Sequence, residues 1–432
     1  MATHLRPRAV TARSACPTRC DLGDNSTHKS AGRKKPVATE LPATPLAQPA
    51  SPNETVTIKK LAKNCAGVTV ITHTDQKVTP FPLTIMPTSI TQDIDRLDQA
   101  VAGKPIYQTR SRILNLKSAF AEKKLCDGLT FSAGTACLYQ CSFCYVESMM
   151  ARSTDVLRIL LDAKRPFSQV GIRRRDALAT LKKELLTAKG KPRFKEDTRT
   201  IYGSPLVDVA ATVELANETV QLIKLMLEHT QWTIRLLSKG ALLTTTVAKQ
   251  LPAAAKNRVI YGFSTGTVDN KLSAAFEIGT AKPSKRIEAL HRLQNEGYRT
   301  YGMACPSLPQ RNYNEFAESI VNALRLDKCE HIWAEVLNVR GESLARTSQY
   351  LRNANYDFEA TQLEQVATNG AAWEAYARNT FLAYKRYVPA QKLRFLQYVQ
   401  PEHLQWWKEQ EPFGAVLLGS AANTPRQADA AV

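Results

Sequence analysis

"GTACLYQCSFCYVE" (residues 134–147) places three of the chain's nine cysteines within eight positions: Cys137, Cys141 and Cys144, spaced C-x3-C-x2-C. Thiolates are soft ligands that suit iron–sulfur clusters and zinc. Three thiolates on one short loop hold three irons of a four-iron, four-sulfur (4Fe-4S) cube and leave the fourth iron open. A catalytic zinc keeps an open position for substrate in the same way. The competing reading is a structural zinc site completed by a distant His or Cys. The spacing is not the paired C-x2-C…C-x2-C of most such sites, and the loop follows a strand that opens a β-α series. Cys126, eleven residues upstream, is poorly placed to reach the loop.

Working outward, short β-branched or aromatic runs alternate with amphipathic helical runs from about residue 126. The strand candidates are "GLTFSAG" (128–134), "TRTIYGS" (198–204), "WTIRLLSKG" (232–240), "RVIYGFSTG" (258–266), "YRTYGMACPS" (298–307) and "HIWAEVLNVRG" (331–341). Helical stretches such as "VELANETVQLIKLMLEH" and "PSKRIEALHRLQNEG" lie between them. Six β-α units in a row predict a parallel sheet with right-handed crossovers. The expected fold is therefore α/β, a partial (βα)6 TIM-type barrel over 126–345. Chemistry in such barrels sits at the C-terminal strand ends. Those ends carry Cys137, Ser204, Lys239, Ser264, Cys305 and Glu335/Asn338.

Residues 1–55 are rich in Pro, Thr, Ala, Ser and basic residues and are expected to be a disordered tail. Cys16 and Cys20 within it are read as incidental thiols. Residues 56–125 form a lead-in, with a strand at "GVTVITHT" (67–74) and a helix at "SITQDIDRLDQAVAG" (89–103) running from a Ser cap to Gly103. Residues 346–432 read as a helical C-terminal extension. Its aromatic runs "AAWEAYARNTFLAYKRYV" and "EHLQWWKEQ" suggest a packed cap more than a base-stacking platform.

Composition narrows the function classes. The 432 residues are 44% hydrophobic, with no run of about 18 apolar residues to span a membrane and no apolar signal-peptide core. A cytoplasmic location is expected. Nine cysteines in a reducing compartment suggest metal chemistry rather than disulfides. The formal charge of +19 attracts polyanions, or it is a solubility surface plus a basic tail. Residues 158–199 alone hold thirteen Lys or Arg against five Asp or Glu. This segment is read as a basic arm beside the barrel mouth, suited to a phosphate backbone, or as a solvated helix face.

The cysteine loop after the first strand of a partial barrel, with Phe143 before the last cysteine, resembles the radical S-adenosylmethionine (radical SAM) superfamily. "LLSKGALL" and the stretch from "IYGFSTG" through "MACPSLPQRN" narrow the resemblance to the spore photoproduct lyase-like branch. The resemblance spans about half the chain. It implies that Cys137, Cys141 and Cys144 bind a 4Fe-4S cluster whose open iron chelates SAM. Reductive cleavage then gives methionine and a 5′-deoxyadenosyl radical that abstracts hydrogen from substrate. It also implies SAM contacts from Ser204, Lys239 and Ser264, Phe143 near the adenine, and an electron donor such as flavodoxin or ferredoxin. Glu277 and Arg286 match the branch pattern and are read as structural. The branch's hydrogen-donating cysteine at the end of strand two is missing, since that stretch reads Ile201-Tyr202-Gly203-Ser204. Cys305 at the end of strand five is the replacement candidate, and Tyr202 is read as a core residue. The implied substrate is nucleic acid, with DNA repair or base modification as the role. The alternatives are a radical SAM enzyme modifying a peptide or protein, and a non-enzymatic, zinc-stabilised nucleic-acid-binding protein.

Overall fold

The computed structural model describes residues 94–101, 103–118, 121–337 and 342–420. The chain divides into two units, Met1–Leu83 and Thr84–Val432, and every described residue lies in the second. The expectations for residues 1–55, for Cys16 and Cys20, for the strand at 67–74 and for Asn338 fall outside the described residues.

Thirteen strands are described: β1 (Ile94–Val101), β2 (Lys104–Thr109), β3 (Leu114–Asn115), β4 (Leu129–Phe131), β5 (Gly134–Ala136), β6 (Gly171–Arg174), β7 (Thr200–Gly203), β8 (Thr233–Ser238), β9 (Val259–Ser264), β10 (Arg299–Ser307), β11 (Ile332–Val336), β12 (Leu393–Val399) and β13 (Ala415–Ser420). The principal sheet runs β13-β12-β11-β10-β9-β8-β7-β4-β3. Every neighbouring pair in it is parallel except β3–β4. All six predicted strands are present in order, as β4 and β7 through β11. The sheet then continues for two more parallel strands, β12 and β13, contributed by the C-terminal extension.

The strands read as near-continuous apolar runs because helices cover their outer face. Val259–Ser264 is buried at every position. The crossover helices begin where their sequences place caps. Thr212 accepts from Leu215 N to open Val213–His229, and Asn312 accepts from Glu315 N to open Tyr313–Leu324. Inside the barrel, Ala121 and Leu125 of the lead-in, with Cys126 that follows them, pack against Tyr202, Ile260, Tyr301, Trp333 and Leu396. Residues 121–126 thus pack into the lumen, and Lys123 Nζ reaches the Leu417 carbonyl of the edge strand at 3.2 Å.

Two expectations change. The helix expected at 89–103 is instead strand β1, which pairs antiparallel with β2 from Ile94↔Thr109 to Val101↔Lys104. Ile94, Leu97 and Val101 have helical spacing, but the hairpin has a ready partner. Gly103, at φ 71°, takes the left-handed conformation that a tight turn needs. β2 then pairs in parallel with β6, giving a second sheet of order β1-β2-β6-β5.

The extension is not a cap laid across the barrel. Helix Gly370–Tyr387 lies in the outer helical layer between β11 and β12, burying Trp373, Tyr376, Phe381 and Tyr384. Trp407 is wholly buried, stacked on Phe395 with ring centroids 5.9 Å apart and planes 7° apart. These rings are core and are not available to stack on bases. Trp407→Ala is expected to cost about 3–5 kcal/mol in urea unfolding, as deletion of a buried aromatic does. A loss below about 1 kcal/mol would show the extension to be peripheral.

Candidate functional site

The cysteine loop follows β5 and is strapped from two directions. Cys141 forms an isolated backbone bridge with Glu277, and Ser142 N donates to the Phe276 carbonyl at 2.9 Å. Gly279 N donates to the Tyr139 carbonyl at 2.7 Å, so close that a Cβ on Gly279 would stand 2.7 Å from that oxygen. From helix Ser343–Asn353, Arg346 donates to the Ser142 and Cys144 carbonyls and pairs with Glu147. Thr347 shares a hydrogen bond with Ser142 at 3.0 Å.

The loop forms one wall of a cavity of about 210 Å³ at the C-terminal ends of the parallel strands. Cys137, Cys141, Cys144, Phe143, Ser204, Lys239, Ser264, Cys305 and Glu335 all line it. Every described residue that the sequence placed at the rim therefore comes together in one space. Cys126 does not join them; its Sγ lies in the lumen, 3.2 Å from the Ala121 carbonyl. Tyr202 lines the floor but is buried in the lumen core, as expected.

Lys239 is the hub of the wall beside the loop. Its ammonium donates to Glu277 Oε1 at 2.6 Å, Ser264 Oγ at 3.0 Å and the Cys305 carbonyl at 2.8 Å, and sits 5.2 Å from the centre of the Phe143 ring. All three of its protons are thus engaged, and holding a ligand carboxylate requires exchanging one of them. Glu277 and Arg286 are both wholly buried, with Arg286 Nη2 2.6 Å from Glu277 Oε2. Burial alone would raise the Glu277 pKa, but Lys239 and Arg286 outweigh it and hold the carboxyl below its ordinary value. Arg286 also donates to the Ser264, Ala281 and Thr280 oxygens, which supports the structural role read for it.

A second polar group lies across the cavity. Cys305 Sγ faces Glu335 Oε2 at 3.9 Å, and Glu335 Oε1 pairs with Lys124 at 3.2 Å. Burial, followed by the Glu335 charge, pushes the Cys305 thiol up to about 12. It is a protonated S–H at neutral pH, the form a hydrogen-atom donor needs and a nucleophile does not. Ser204 Oγ donates to Ser132 Oγ at 2.7 Å.

Lys124, Asp208 and Arg346 escaped sequence reasoning. Asp208 Oδ1 accepts from Ser238 Oγ at 2.8 Å and from Ala210 N at 2.9 Å. Its Oδ2 accepts from Lys239 N at 2.7 Å, and burial raises its pKa. Its position four residues beyond Ser204 was the one signal available. Lys124 and Arg346 come from segments distant in sequence and carried none.

The basic segment is not one arm beside the mouth. Arg173 and Arg174 lie in β6, where Arg173 pairs with Glu218 at 2.9 Å and Arg174 donates to Thr109 Oγ1 at 3.2 Å. Arg175, next in the chain, pairs with Asp95. Residues 189–199 lead into the N-terminal end of β7, and Phe194 bridges Thr230 just before β8. That is the end of the barrel opposite the cavity.

The loop's three thiols are soft donors of the kind that iron–sulfur clusters and zinc both take. They share one cavity wall, yet among the described residues no three His, Cys, Asp or Glu side chains are grouped to hold a single metal ion. A cube takes its thiolates at separate corners. Burial raises all three thiols, Cys137 to about 12, so binding must release their protons.

No protein-family model matches the chain. It is 22% identical over 239 residues to the uncharacterized protein ORF301 of Acidianus two-tailed virus, covering 54% of this chain and 75% of that one. Among solved structures it is similar to a spore photoproduct lyase complexed with dinucleoside spore photoproduct. That match has a TM-score of 0.40 and 14% identity, over 59% of this chain and 68% of that one. It is also similar to anSMEcpe with bound AdoMet and a peptide, with a TM-score of 0.34 and 12% identity, over 60% of each chain. No helix among the described residues is long and apolar enough to cross a membrane.

Two outcomes follow from these charges. Arg286→Ala leaves Glu277 buried with one partner fewer and is expected to cost about 3–5 kcal/mol in denaturant unfolding. The thiols of Cys126, Cys137, Cys305 and Cys329 are raised to between about 11 and about 12. Above pH ~9 the folded chain therefore binds more protons than the unfolded chain. The stability these groups contribute is complete below that pH and declines as pH rises toward the folded values. The urea midpoint of the reduced, metal-free chain should fall between pH 8 and pH 10; a flat profile would contradict the burial of the thiols.

Proposed function

We propose that the chain is a radical SAM enzyme that acts on nucleic acid. The observation that carries this reading is the cavity itself. Three closely spaced thiols, a buried cation network and a protonated thiol face one cavity at the C-terminal ends of a parallel sheet. Cys137, Cys141 and Cys144 would hold a 4Fe-4S cluster, which supplies one electron to the sulfonium of bound SAM. Lys239 and Ser264 present a cation and a hydroxyl for the methionyl end of SAM, while Phe143 and Ser204 line the cavity beside them. Arg286 and Glu277 hold Lys239 in place. Cys305 keeps its proton because burial and Glu335 disfavour the thiolate, and is the candidate hydrogen donor to the substrate.

Nucleic acid is favoured as substrate by the formal charge of +19 and by the aromatic residues that line the cavity. Phe143, Tyr145 and Tyr202 line the cavity and offer aromatic surface to one extruded planar base. Repair or modification of a DNA base is the corresponding role.

The test is anaerobic reconstitution with iron and sulfide, followed by dithionite and SAM, with release of 5′-deoxyadenosine as the readout. Four irons per chain are expected, with cleavage lost in Cys141→Ala. Zinc in place of iron, or no cleavage in the intact chain, would overturn the enzyme and favour a zinc-stabilised binding protein. Cys305→Ala is expected to leave SAM cleavage in place while blocking product formation on damaged DNA. Equal product from both chains would remove Cys305 from the chemistry.

A further inference from the structure

The basic segment divides in two. Arg173, Arg174 and Arg175 are engaged within the second sheet, but the part beyond them is not. Residues 182–199 hold seven Lys or Arg and three Asp or Glu. Two of those acids are occupied: Glu184 accepts from Ile113 N at 3.2 Å and Leu114 N at 2.8 Å, and Asp197 pairs with Arg199 at 2.7 Å. Glu196 is the exposed acid that remains. Lys182, Lys183, Lys189, Lys191 and Lys195 are all exposed, and among the described residues none has an ion pair or a side-chain hydrogen bond. Other cations at this end of the barrel are engaged. Arg258 donates to the Leu227, Thr230 and Trp232 carbonyls, and Arg299 pairs with Glu330.

The loop that carries three of these lysines is fixed in place. Thr187 N donates to the Lys191 carbonyl at 2.9 Å, and Lys191 N to Thr187 Oγ1 at 3.1 Å. Gly190, at φ 73°, makes the turn between them. Arg193 N donates to the Leu185 carbonyl at 2.9 Å, and Phe194 packs on Trp232 with ring centroids 5.1 Å apart. A solvated helix face would pair its charges four residues apart. The residues four away from Lys182 and Lys183 are Leu178, Leu186, Ala179 and Thr187. The dipole at the C-terminus of helix Ala177–Leu185 accounts for these two lysines, but it does not reach the three on the loop. Like charges left this close repel one another until an anion meets them.

The chemistry of the surface selects the anion. A protein partner needs an apolar centre to bury, and the large apolar ring of this loop, Phe194, is turned onto Trp232. A phosphate backbone binds by charge alone. The site is also remote from the cavity. The loop meets the N-terminal strand ends, and a six-residue strand such as β9 is about 20 Å long. A nucleotide held at the loop is therefore not the one in the cavity.

We propose that the loop at residues 187–195, with Lys182 and Lys183, is a second nucleic-acid contact, separate from the cavity. It holds the phosphate backbone and does not read base sequence. The contact itself stands on the arrangement of charges. Its use, holding a long substrate while one nucleotide occupies the cavity, rests on the nucleic-acid reading of the cavity.

The test uses the reconstituted full chain and a fluorescein-labelled DNA duplex of about 30 base pairs, with Kd read by anisotropy between about 50 and 200 mM salt. Lys189→Gln/Lys191→Gln is compared with Lys285→Gln/Arg292→Gln, which removes the same charge from exposed side chains that pair with Glu288. The loop variant is expected to bind about tenfold more weakly at the lowest salt, with a slope of log K against log salt smaller by about 2. Its thermal midpoint and its SAM cleavage are expected to match the unsubstituted chain, and the control variant is expected to keep its affinity. Equal weakening of both variants would overturn the proposal, because a diffuse charge effect would then explain it. Unchanged affinity in the loop variant would overturn it too, and would assign DNA binding to other cations such as the twelve Lys or Arg of residues 1–93. So would tighter binding of polyglutamate or of phosphatidylserine vesicles than of the duplex. DNA held through the loop without any DNA product is a different result, because it overturns the substrate reading and leaves this contact standing.

Discussion

The site depends on one buried carboxylate. Glu277 is wholly enclosed, and an ion of that kind is tolerable only where its charge is met on both oxygens. Lys239 at the end of β8 meets one oxygen, and Arg286 from helix Pro283–Asn295 meets the other. The same residue's backbone bridges Cys141. Three parts of the chain far apart in sequence are therefore fixed to one point: the cysteine loop, a strand end and a crossover helix. A buried charge network of this kind contributes little net stability compared with an apolar core, but it allows one arrangement of its partners. That is the property a site requires.

Cys305 connects this cluster to the far wall. Its carbonyl accepts from Lys239 and Ser264, while its thiol faces Glu335. Lys124, which comes from the segment filling the lumen, holds Glu335 from below. Burial would depress the Lys124 pKa, but Glu335 and Tyr398 together outweigh it and the lysine stays charged. The cavity thus lies between two ion pairs whose charges are already satisfied. The ground left for chemistry is the apolar and aromatic surface between them, the three thiols, one S–H, and the hydrogen bonds that Lys239 and Ser264 can exchange for a ligand's.

Much of this was legible beforehand. Parallel strands buried on both faces leave apolar runs, and crossover helices leave capped amphipathic stretches, so β4 and β7 through β11 could be placed from sequence. Because strand ends converge on one rim, placing the strands also placed Cys137, Ser204, Lys239, Ser264, Cys305 and Glu335. What failed had a common cause. Residues 94–101 carry helical spacing, yet they pair as a strand because a hairpin partner and β6 stand beside them. β12 and β13 were hidden in a segment dominated by helices. The arginines of "GIRRR" looked like a free basic arm until Glu218, Thr109 and Asp95 were found opposite them.

Local chemistry and periodicity, which need only near neighbours in the chain, were enough for the sequence to determine the class of sheet, the order of its strands and the thiol loop. Only the tertiary structure decided which charges are spent on one another. The Lys239–Glu277–Arg286 cluster, the Lys124–Glu335 pair beside Cys305 and the Arg346 strap on the loop all join residues remote in sequence. Coulomb attraction and desolvation act through space, and separation along the chain does not report them.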